Sequence, residues 1–253
     1  MMRRIVLAGG LWMVSALAAA EAPSGSVEWA RQIELGVPVS GIVETVAAEE
    51  GQRVTKGALL MSLEQIPFEA DYRSARARAE GAGADFAEQE RALKRAHELY
   101  DRGVTSTVEL DQAKLAASQA RARRDAARAA ADLARYRLAR SRLIAPFDAY
   151  VVTRSVTPGQ MVAAELQPPV LFVLAESEQY LLRVNVPASQ ARQLQPGAVV
   201  SVRVGEKTHE GKVLSVGSGQ AARDHAEGQH PVAVRFRAAN GEVLAGKRGE
   251  LVL

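Results

Sequence analysis

The chain of 253 residues contains no cysteine, few aromatic residues and no proline after Pro67 until the segment that follows Arg142. Without cysteine it can form neither a disulfide bond nor a lipid-modified cysteine. Aromatic residues make up only 5% of the chain while alanine and arginine are heavily used, so we expect long helices that pack closely through small side chains. The length exceeds what one compact core needs, which indicates more than one module.

Motifs that carry chemistry are also scarce. The sequence contains no Ser/His/Asp arrangement and no phosphate-binding glycine loop, so we predict that it is not an enzyme and binds no cofactor. His225 and His230 lie near Asp224 and Glu227, but their loose spacing and the flanking glycines favour a loop over a metal site. The eight arginines from Arg121 to Arg142 indicate a solvated or neighbour-facing helix surface rather than a nucleic-acid site.

The first 20 residues have the features of a secretory signal peptide. A basic start at Arg3 and Arg4 precedes an apolar run from Ile5 to Leu17, which is too short to span a bilayer comfortably, and small alanines follow. We therefore predict cleavage near Ala20 and a mature protein outside the cytoplasm. An uncleaved inner-membrane anchor is the alternative.

Two distant segments of the chain are similar to each other. Residues 41–54 align without a gap on residues 149–162, and Val, Thr, Gly, Gln and Val coincide at the same offsets. Each segment precedes a second apolar run, at 59–64 and at 171–176. One such half cannot bury its own apolar face, so we expect the two halves to stack as a small sandwich with glycine turns of positive φ.

The segment between the halves predicts a pair of long helices. It is rich in strong helix formers, and its one clear break is the Gly-Val-Thr-Ser run at 103–106. Because the halves must meet, the segment has to leave and return at one place, which predicts an antiparallel hairpin. At 1.5 Å per residue each arm would reach about 50 Å.

Heptad seams are visible on both predicted helices. The seam of the first helix comprises Phe68, Tyr72, Ala75, Ala79, Ala82, Phe86, Gln89, Leu93, Ala96 and Tyr100. On the second helix alanine is so frequent that several seams fit equally well, and one of them comprises Val108, Gln112, Leu115, Gln119, Ala122, Ala126, Ala129, Leu133, Tyr136, Arg140 and Leu143.

The order of these motifs resembles the periplasmic adaptor or membrane fusion protein family of the HlyD type. The resemblance is carried by residues 41–60, by the hairpin, by Leu-Ile-Ala-Pro-Phe-Asp at 143–148 and by Pro-Gly-Gln-Met-Val at 158–162. It implies an elongated, multi-domain α+β fold, in which an antiparallel coiled-coil hairpin is inserted in a split lipoyl-like β-sandwich. Ala149 departs from the glycine that is usual in the family, so the local turn is expected to differ.

The alternating strand patterns after Glu176, together with one short predicted helix, indicate a small β-barrel, which the family also has. The implied domains are a signal peptide at 1–20, an N-terminal segment with the first lipoyl-like half at 21–66, the hairpin at 67–142, the second half at 143–176 and the barrel at 177–253.

A lipoyl-like domain raises an enzymatic alternative, a carrier domain with a modified lysine. The hairpin occupies the place between the halves where a carrier would present that lysine. Lys56 lies inside the first half instead, next to a turn, and is read as a surface lysine. We therefore reject the carrier interpretation.

The hairpin tip carries the sharpest functional signal. Arg95, Leu99 and Ser106 match the Arg-Leu-Ser tip signature with which adaptors of this family are thought to engage a TolC-like outer-membrane channel. Arg95 and Leu99 lie one helical turn apart, so a charged donor and an apolar side chain share one face. Ser106 also has a purely structural interpretation, as the N-cap of the second helix with Glu109 completing a capping box.

The resemblance implies a periplasmic adaptor of a tripartite efflux pump, most consistent with an RND-type transporter. The implied partners are an inner-membrane transporter, a TolC-like channel and further copies of the chain in a hexameric ring, with no nucleic acid. An adaptor of an ABC-type export system is one alternative. An envelope protein that binds a small ligand or a metal is another, and calorimetry on the isolated chain would separate it from an adaptor.

Overall fold

The computed structural model describes residues 22–164, 169–217, 229–239 and 244–252. The predicted signal peptide and the group formed by Asp224, His225 and Glu227 lie outside these residues. Contacts divide the chain into two compact units, one of which is Trp29–Ser177. The elements in chain order are β1 Ser24–Trp29, β2 Gln32–Leu35, β3 Gly41–Val46, β4 Arg53–Val54, β5 Leu59–Leu63, α1 Gln65–Asp101, α2 Thr107–Arg140, β6 Arg142–Ile144, β7 Ala149–Arg154, β8 Met161–Val162, β9 Phe172–Glu176, β10 Gln179–Pro187, α3 Ala188–Ala191, β11 Val199–Val204, β12 Lys207–Val216, β13 Gln229–Arg237 and β14 Arg248–Val252.

The two similar segments exchange strands with each other. One four-stranded sheet has the order β2-β9-β7-β4 and the other has the order β6-β5-β3-β8. In each sheet the short strand of one repeat pairs antiparallel with the first strand of the other repeat. The registers are equivalent, since Gly41 faces Val162 and Ala149 faces Val54. The predicted association of the two repeats is confirmed.

The glycine turns hold this exchange in place. Gly51 and Gly159 have φ of 80° and 82°, as predicted for the turns of both repeats. Each glycine N–H then donates across to the other repeat, from Gly51 to the carbonyl of Val151 at 2.8 Å and from Gly159 to that of Val43 at 2.8 Å. The equivalent hydrogen bonds make the two repeats interdependent.

Aliphatic side chains from both repeats share one core. Phe172 is its largest fully buried side chain. Ala149 begins β7 as a fully buried strand residue without positive φ, so a glycine is not required there. The core comprises Val37, Val39, Val43, Ala48, Val54, Leu60, Met61, Leu63, Leu143, Ala145, Ala149, Val151, Val156, Val162, Leu171, Phe172 and Leu174.

The helices α1 and α2 pack against each other and run in opposite directions. Asp85 pairs with Arg123 at 3.0 Å and Asp71 lies 3.9 Å from Arg137. Residue numbers therefore increase along one helix as they decrease along the other. The predicted break at 103–106 is confirmed, because α1 ends at Asp101 and α2 begins at Thr107. At 1.5 Å per residue, α1 is about 55 Å long.

Ser141 ties the two helices together where they leave the sheets. Its side chain is fully buried, and its hydroxyl donates to the carbonyl of Leu138 at 2.7 Å. The amide of Gln65 donates to the Ser141 hydroxyl at 3.1 Å, and the N–H of Leu63 donates to the Ser141 carbonyl at 2.9 Å. The polar atoms that Ser141 buries at this junction thus have partners.

The seam predicted on the first helix is confirmed along most of its length. Its members from Phe68 to Ala96 are buried or half-buried, whereas Tyr100 at the tip is exposed. Steps of four and three place these side chains on the face of α1 that contacts α2.

The seam predicted on the second helix is wrong. Every described α2 member of that set is exposed, and the contact face is instead an alanine-rich stripe whose members lie one or two positions further along the chain. Small side chains let the helix backbones approach closely, which the crowded face of α1 with its two phenylalanines requires. The contact stripe comprises Leu110, Ala113, Ala117, Ala120, Arg124, Ala127, Ala131, Ala134 and Leu138.

The second unit is a closed barrel with the strand order β1-β10-β13-β12-β11-β14. The strands predicted after Glu176 are confirmed as five of its members, and Tyr180 stacks on Phe236 inside it with ring centroids 5.8 Å apart. No pattern in the sequence predicts that β1 closes the barrel. Gly25 of β1 faces Gly249 of β14, and the absence of a Cβ at Gly25 lets β1 approach the backbone of Arg183 in β10 closely.

Candidate functional site

The tip of the helix pair is an ordered turn built from backbone hydrogen bonds. The N–H of Val104 donates to the carbonyl of Leu99 at 2.9 Å, and the N–H of Gly103 donates to that of Tyr100 at 2.9 Å. With Gly103 at φ 71°, this is a Schellman motif that ends α1. The motif places Val104 directly after the last turn of α1, and Leu99 lies in that turn.

A capping box begins α2 on the other side of the turn. The Ser106 hydroxyl accepts from the Glu109 N–H at 3.3 Å, and the Glu109 carboxylate accepts from the Ser106 N–H at 3.0 Å. The hydroxyls of Thr105 and Ser106 also donate to this carboxylate. The structural role predicted for Ser106 is confirmed.

The capping box contains one titrating group, the carboxylate of Glu109. Hydrogen bonds from the Thr105 hydroxyl, the Ser106 N–H and the Ser106 hydroxyl hold the pKa of Glu109 below its ordinary value. Because the folded pKa is the lower one, the contribution to stability is present above the unfolded pKa, about 4.3, and is lost as the pH falls through the folded pKa. We expect the hydrogen-exchange protection factor of the Ser106 amide to fall as the pH is lowered from above the unfolded pKa of Glu109 through its folded pKa.

The matched control is Glu109→Gln, which keeps an acceptor oxygen and removes the titrating group. Its Ser106 protection factor, followed by NMR, should stay flat over the same pH range. Equal pH dependence in both proteins would contradict the assignment of the effect to Glu109.

Arg95 is exposed on the outer face of α1 and is held by an ion pair. One guanidinium nitrogen lies 3.1 Å from the Glu88 carboxylate, which also accepts from Arg91 at 2.7 Å. Hydrogen bonds from Arg91 and then from Arg95 lower the pKa of Glu88. The guanidinium has five N–H donors, so several stay available to a partner acceptor.

The three residues of the predicted tip signature have different chemical capacities. Leu99 is 42% exposed one helical turn after Arg95, as an apolar contact on the same face. The hydroxyl of Ser106 already donates to Glu109 and accepts one bond, so what it can still offer is an acceptor lone pair. Together the positions present a cationic donor, an apolar contact and an acceptor.

Two apolar residues were not assigned to the surface of the tip from the sequence, which placed Val104 only in the helix break and Val108 in the seam. Val104 is 70% exposed in the turn, and Val108 is exposed in the first turn of α2. Exposed valines in a capped turn are a recognisable signal, since a turn without a partner is ordinarily polar. With Leu99 and Tyr100 they give the tip an apolar surface that suits contact with another protein.

The other sites considered from the sequence carry no comparable arrangement. Lys56 is exposed in a turn whose backbone is held by Asp148, with the Lys56 N–H donating to its carboxylate at 2.7 Å. Within the described ranges, no three His, Asp or Glu side chains are grouped as metal ligands. In that same part of the chain, no helix combines the length and apolar character needed to cross a bilayer.

The chain is similar to proteins of known class. A family profile described as "RND MFP, barrel-sandwich hybrid domain" matches residues 31–174. The pyoverdine export membrane fusion protein PvdR of Pseudomonas aeruginosa is 30% identical over 187 residues, which are 68% of this chain and 48% of that protein. The macrolide export protein MacA of Yersinia pestis is 30% identical over 195 residues, 72% of this chain and 53% of that one. The chain thus spans about half the length of these curated relatives.

Among solved structures, the membrane fusion protein Spr0693 of Streptococcus pneumoniae has a TM-score of 0.66 at 17% identity. The match covers 90% of this chain and 97% of that chain. A likeness at this identity concerns the fold.

Proposed function

The chain belongs to the family of RND membrane fusion proteins, and we propose on that basis that it is a periplasmic adaptor subunit of a tripartite efflux pump. It links an inner-membrane transporter to a TolC-like outer-membrane channel and catalyses nothing itself. The transporter supplies the energy. The signal peptide is removed near Ala20, and the mature chain acts in the periplasm.

We assign the described elements to the family's parts as follows. The helix pair α1 and α2 is the coiled-coil hairpin predicted at 67–142, and the two sheets together form the lipoyl-like domain, to which the halves at 21–66 and 143–176 both contribute strands of each sheet. The barrel comprises the strands of the segment predicted at 177–253 and, in addition, β1. Several copies stand side by side in a ring, a hexamer in this proposal, and present their hairpin tips to the channel.

The observation that carries the docking role is the tip surface itself. Arg95, Leu99 and Ser106 offer a donor, an apolar contact and an acceptor, and Val104 adds an exposed apolar side chain between them. A channel helix with a carboxylate or carbonyl opposite Arg95 and a donor opposite Ser106 would be complementary to this surface.

The proposal is tested by a photo-activated cross-linking amino acid at Val104, placed in the full chain and irradiated in cells of the native host. We expect a cross-linked product with an outer-membrane channel protein, because Val104 is the most exposed apolar side chain of the tip. The same amino acid at Gln112, which is exposed on α2 beyond the tip, is the control and should give less of this product. Cross-linking of the channel equally from both positions, or from neither, would contradict tip docking.

The transporter partner of the adaptor belongs to one of two classes, RND or ABC. PvdR and MacA are named for the export of pyoverdine and of macrolides, so the family does not determine the exported substrate. We favour an RND-type partner on the family description. An ABC-type partner is the alternative, and co-purification of the cross-linked adaptor from the envelope identifies the transporter directly.

A further inference from the structure

The outer surface of the barrel carries three basic side chains on two neighbouring strands. Lys212 of β12 lies directly opposite Arg235 of β13 in the antiparallel pair. Arg237 follows two positions after Arg235, and all three side chains are exposed. Because alternate residues of a strand point to the same face, the two arginines lie about 7 Å apart on one surface. Three positive charges are therefore close together.

This arrangement of charges is unfavourable for the barrel by itself. Like charges directly opposite each other on neighbouring strands destabilise a sheet, since their Cβ atoms are only about 5 Å apart. Ion pairs are formed by Arg183 and Arg203 elsewhere on the described barrel strands, and none involves Lys212, Arg235 or Arg237. A bound anion would remove the repulsion and accept charge-assisted hydrogen bonds.

The three cations line an open groove on the outside of the barrel. Its volume is about 680 Å³, within the range of about 300–1,000 Å³ that is common for small-molecule sites. The groove is also lined by Val199 and Leu214, whose exposed fractions are 67% and 40%. Val199 of β11 lies directly opposite Lys212. Apolar side chains thus lie beside the positive charges.

One carboxylate among the described residues of the groove limits what can bind there. Glu210 lies two positions before Lys212, on the same face of β12. The groove keeps a net positive charge, but Glu210 repels a segment or surface that carries many negative charges in a row. A ligand with its negative charge at one point and an apolar remainder is complementary to the whole groove.

We propose that this groove binds a small anionic amphiphile, a molecule with one phosphate or carboxylate group and an aliphatic chain. Arg235 and Lys212 donate hydrogen bonds to the anionic group, and Arg237 adds a second guanidinium. The aliphatic chain lies over Val199 and Leu214 and covers their exposed surface. The site lies in the barrel and goes beyond the docking role of the hairpin tip.

Isothermal titration calorimetry on the purified full mature chain tests the proposal, with decyl phosphate below its critical micelle concentration. We expect one molecule to bind per chain. Inorganic phosphate lacks the aliphatic chain and decyl maltoside lacks the charge, so each should bind at least on the order of tenfold more weakly. Equal affinity for inorganic phosphate, or for decyl maltoside, would overturn the proposal, because only one half of the amphiphile would then be recognised.

Substitutions locate the binding in the groove. Arg235→Gln and Lys212→Gln should each weaken the binding of decyl phosphate on the order of tenfold. The matched control is Arg248→Gln, which makes the same change of charge at an exposed position of β14 outside the groove and should leave the affinity unchanged. Unchanged affinity in Arg235→Gln, or equal weakening in all three variants, would overturn the assignment to this groove.

Arg235→Glu separates a binding role from a structural one. A carboxylate opposite Lys212 replaces a like-charge pair by an opposite-charge pair. We therefore expect the variant to lose the binding of decyl phosphate and to unfold at a higher urea concentration. A lower urea midpoint would mean that the barrel needs Arg235 for its stability and would overturn the proposal.

Vesicles of phosphatidylglycerol distinguish a dissolved amphiphile from a membrane surface. We expect the chain not to sediment with them. Sedimentation that Arg235→Gln abolishes, without any binding of decyl phosphate, would overturn the proposal in favour of a membrane surface. Because these measurements use the purified chain without a channel or transporter, they can succeed where tip docking fails, and the reverse.

Discussion

Arg95→Asp should abolish export through the assembled pump while leaving the fold unchanged. Arg95 is exposed and its ion pair with Glu88 lies on the surface, where such pairs contribute little to stability. Against a partner acceptor, however, the variant replaces a hydrogen-bonded cation by a like charge. We expect the affinity for the channel to fall on the order of 100-fold, measured with purified proteins, and export to be lost in cells.

Arg91→Asp is the matched control for this experiment. Arg91 lies one helical turn before Arg95, pairs with the same Glu88 and undergoes the same change of charge. Because it lies further from the tip, it should retain most of the export. Equal loss in both variants would mean that the charge of α1 matters in general and that Arg95 has no special role.

Gly25→Ala should be the most destabilising small substitution in the barrel. A Cβ at Gly25 would lie 1.8 Å from the backbone carbonyl oxygen of Arg183, in the neighbouring strand β10. A carbonyl in the ladder cannot move aside as a side chain does, so β1 has to separate from β10. We expect a loss of about 3 kcal/mol or more in the free energy of unfolding, measured by urea denaturation.

Gly249→Ala tests whether the effect depends on what the new methyl group meets. Gly249 faces Gly25 across the β1–β14 pair, and its Cβ would meet the ends of the Leu182 and Val27 side chains at 2.9 Å and 3.0 Å. These side-chain ends can shift, so the loss should be smaller than for Gly25→Ala. An equal loss would show that the barrel is generally intolerant of bulk rather than closed by β1 in this manner.

Much of the unit Trp29–Ser177 could be predicted because its signals are periodic or repeated. The five identities between residues 41–54 and 149–162 predict that the two segments form equivalent turns. Gly51 and Gly159 both have positive φ, which is the physical reason that glycine occurs in both turns. The helix break was predictable for a similar reason. Gly103 can adopt φ 71° without strain, and Ser106 can cap.

The seam of α2 could not be predicted from hydrophobicity. Two heptad stripes exist on this helix, and the one with the larger side chains is exposed while the alanine-rich one is buried. Close approach to α1 selects small residues, and that requirement depends on the partner helix rather than on α2 itself. The role of β1 was hidden for the same reason, because its partners β10 and β14 lie far along the chain.

The candidate site could be predicted in part. Arg95, Leu99 and Ser106 were assigned by their resemblance to the tip signature of the family, and the structure adds that Ser106 also serves the capping box and that Arg95 pairs with Glu88. The capping box was visible in the spacing of Ser106 and Glu109, whereas the pairing of Arg95 with Glu88 depends on side-chain rotamers that spacing does not reveal. The exposure of Val104 likewise follows from the backbone of the Schellman turn.

The exchange of strands between the repeats imposes an order on folding. The sheet that contains β3 is complete only when β8 has paired with β3. The sheet that contains β7 requires β4, which precedes β7 by the whole length of the helix pair. Closing a chain loop of this length costs entropy, but helices form locally and fast. Once α1 and α2 have packed against each other, Ser141 lies beside Gln65. The two ends of the long segment between the repeats are then already close, so the remaining entropy cost of joining the repeats is that of closing a short loop.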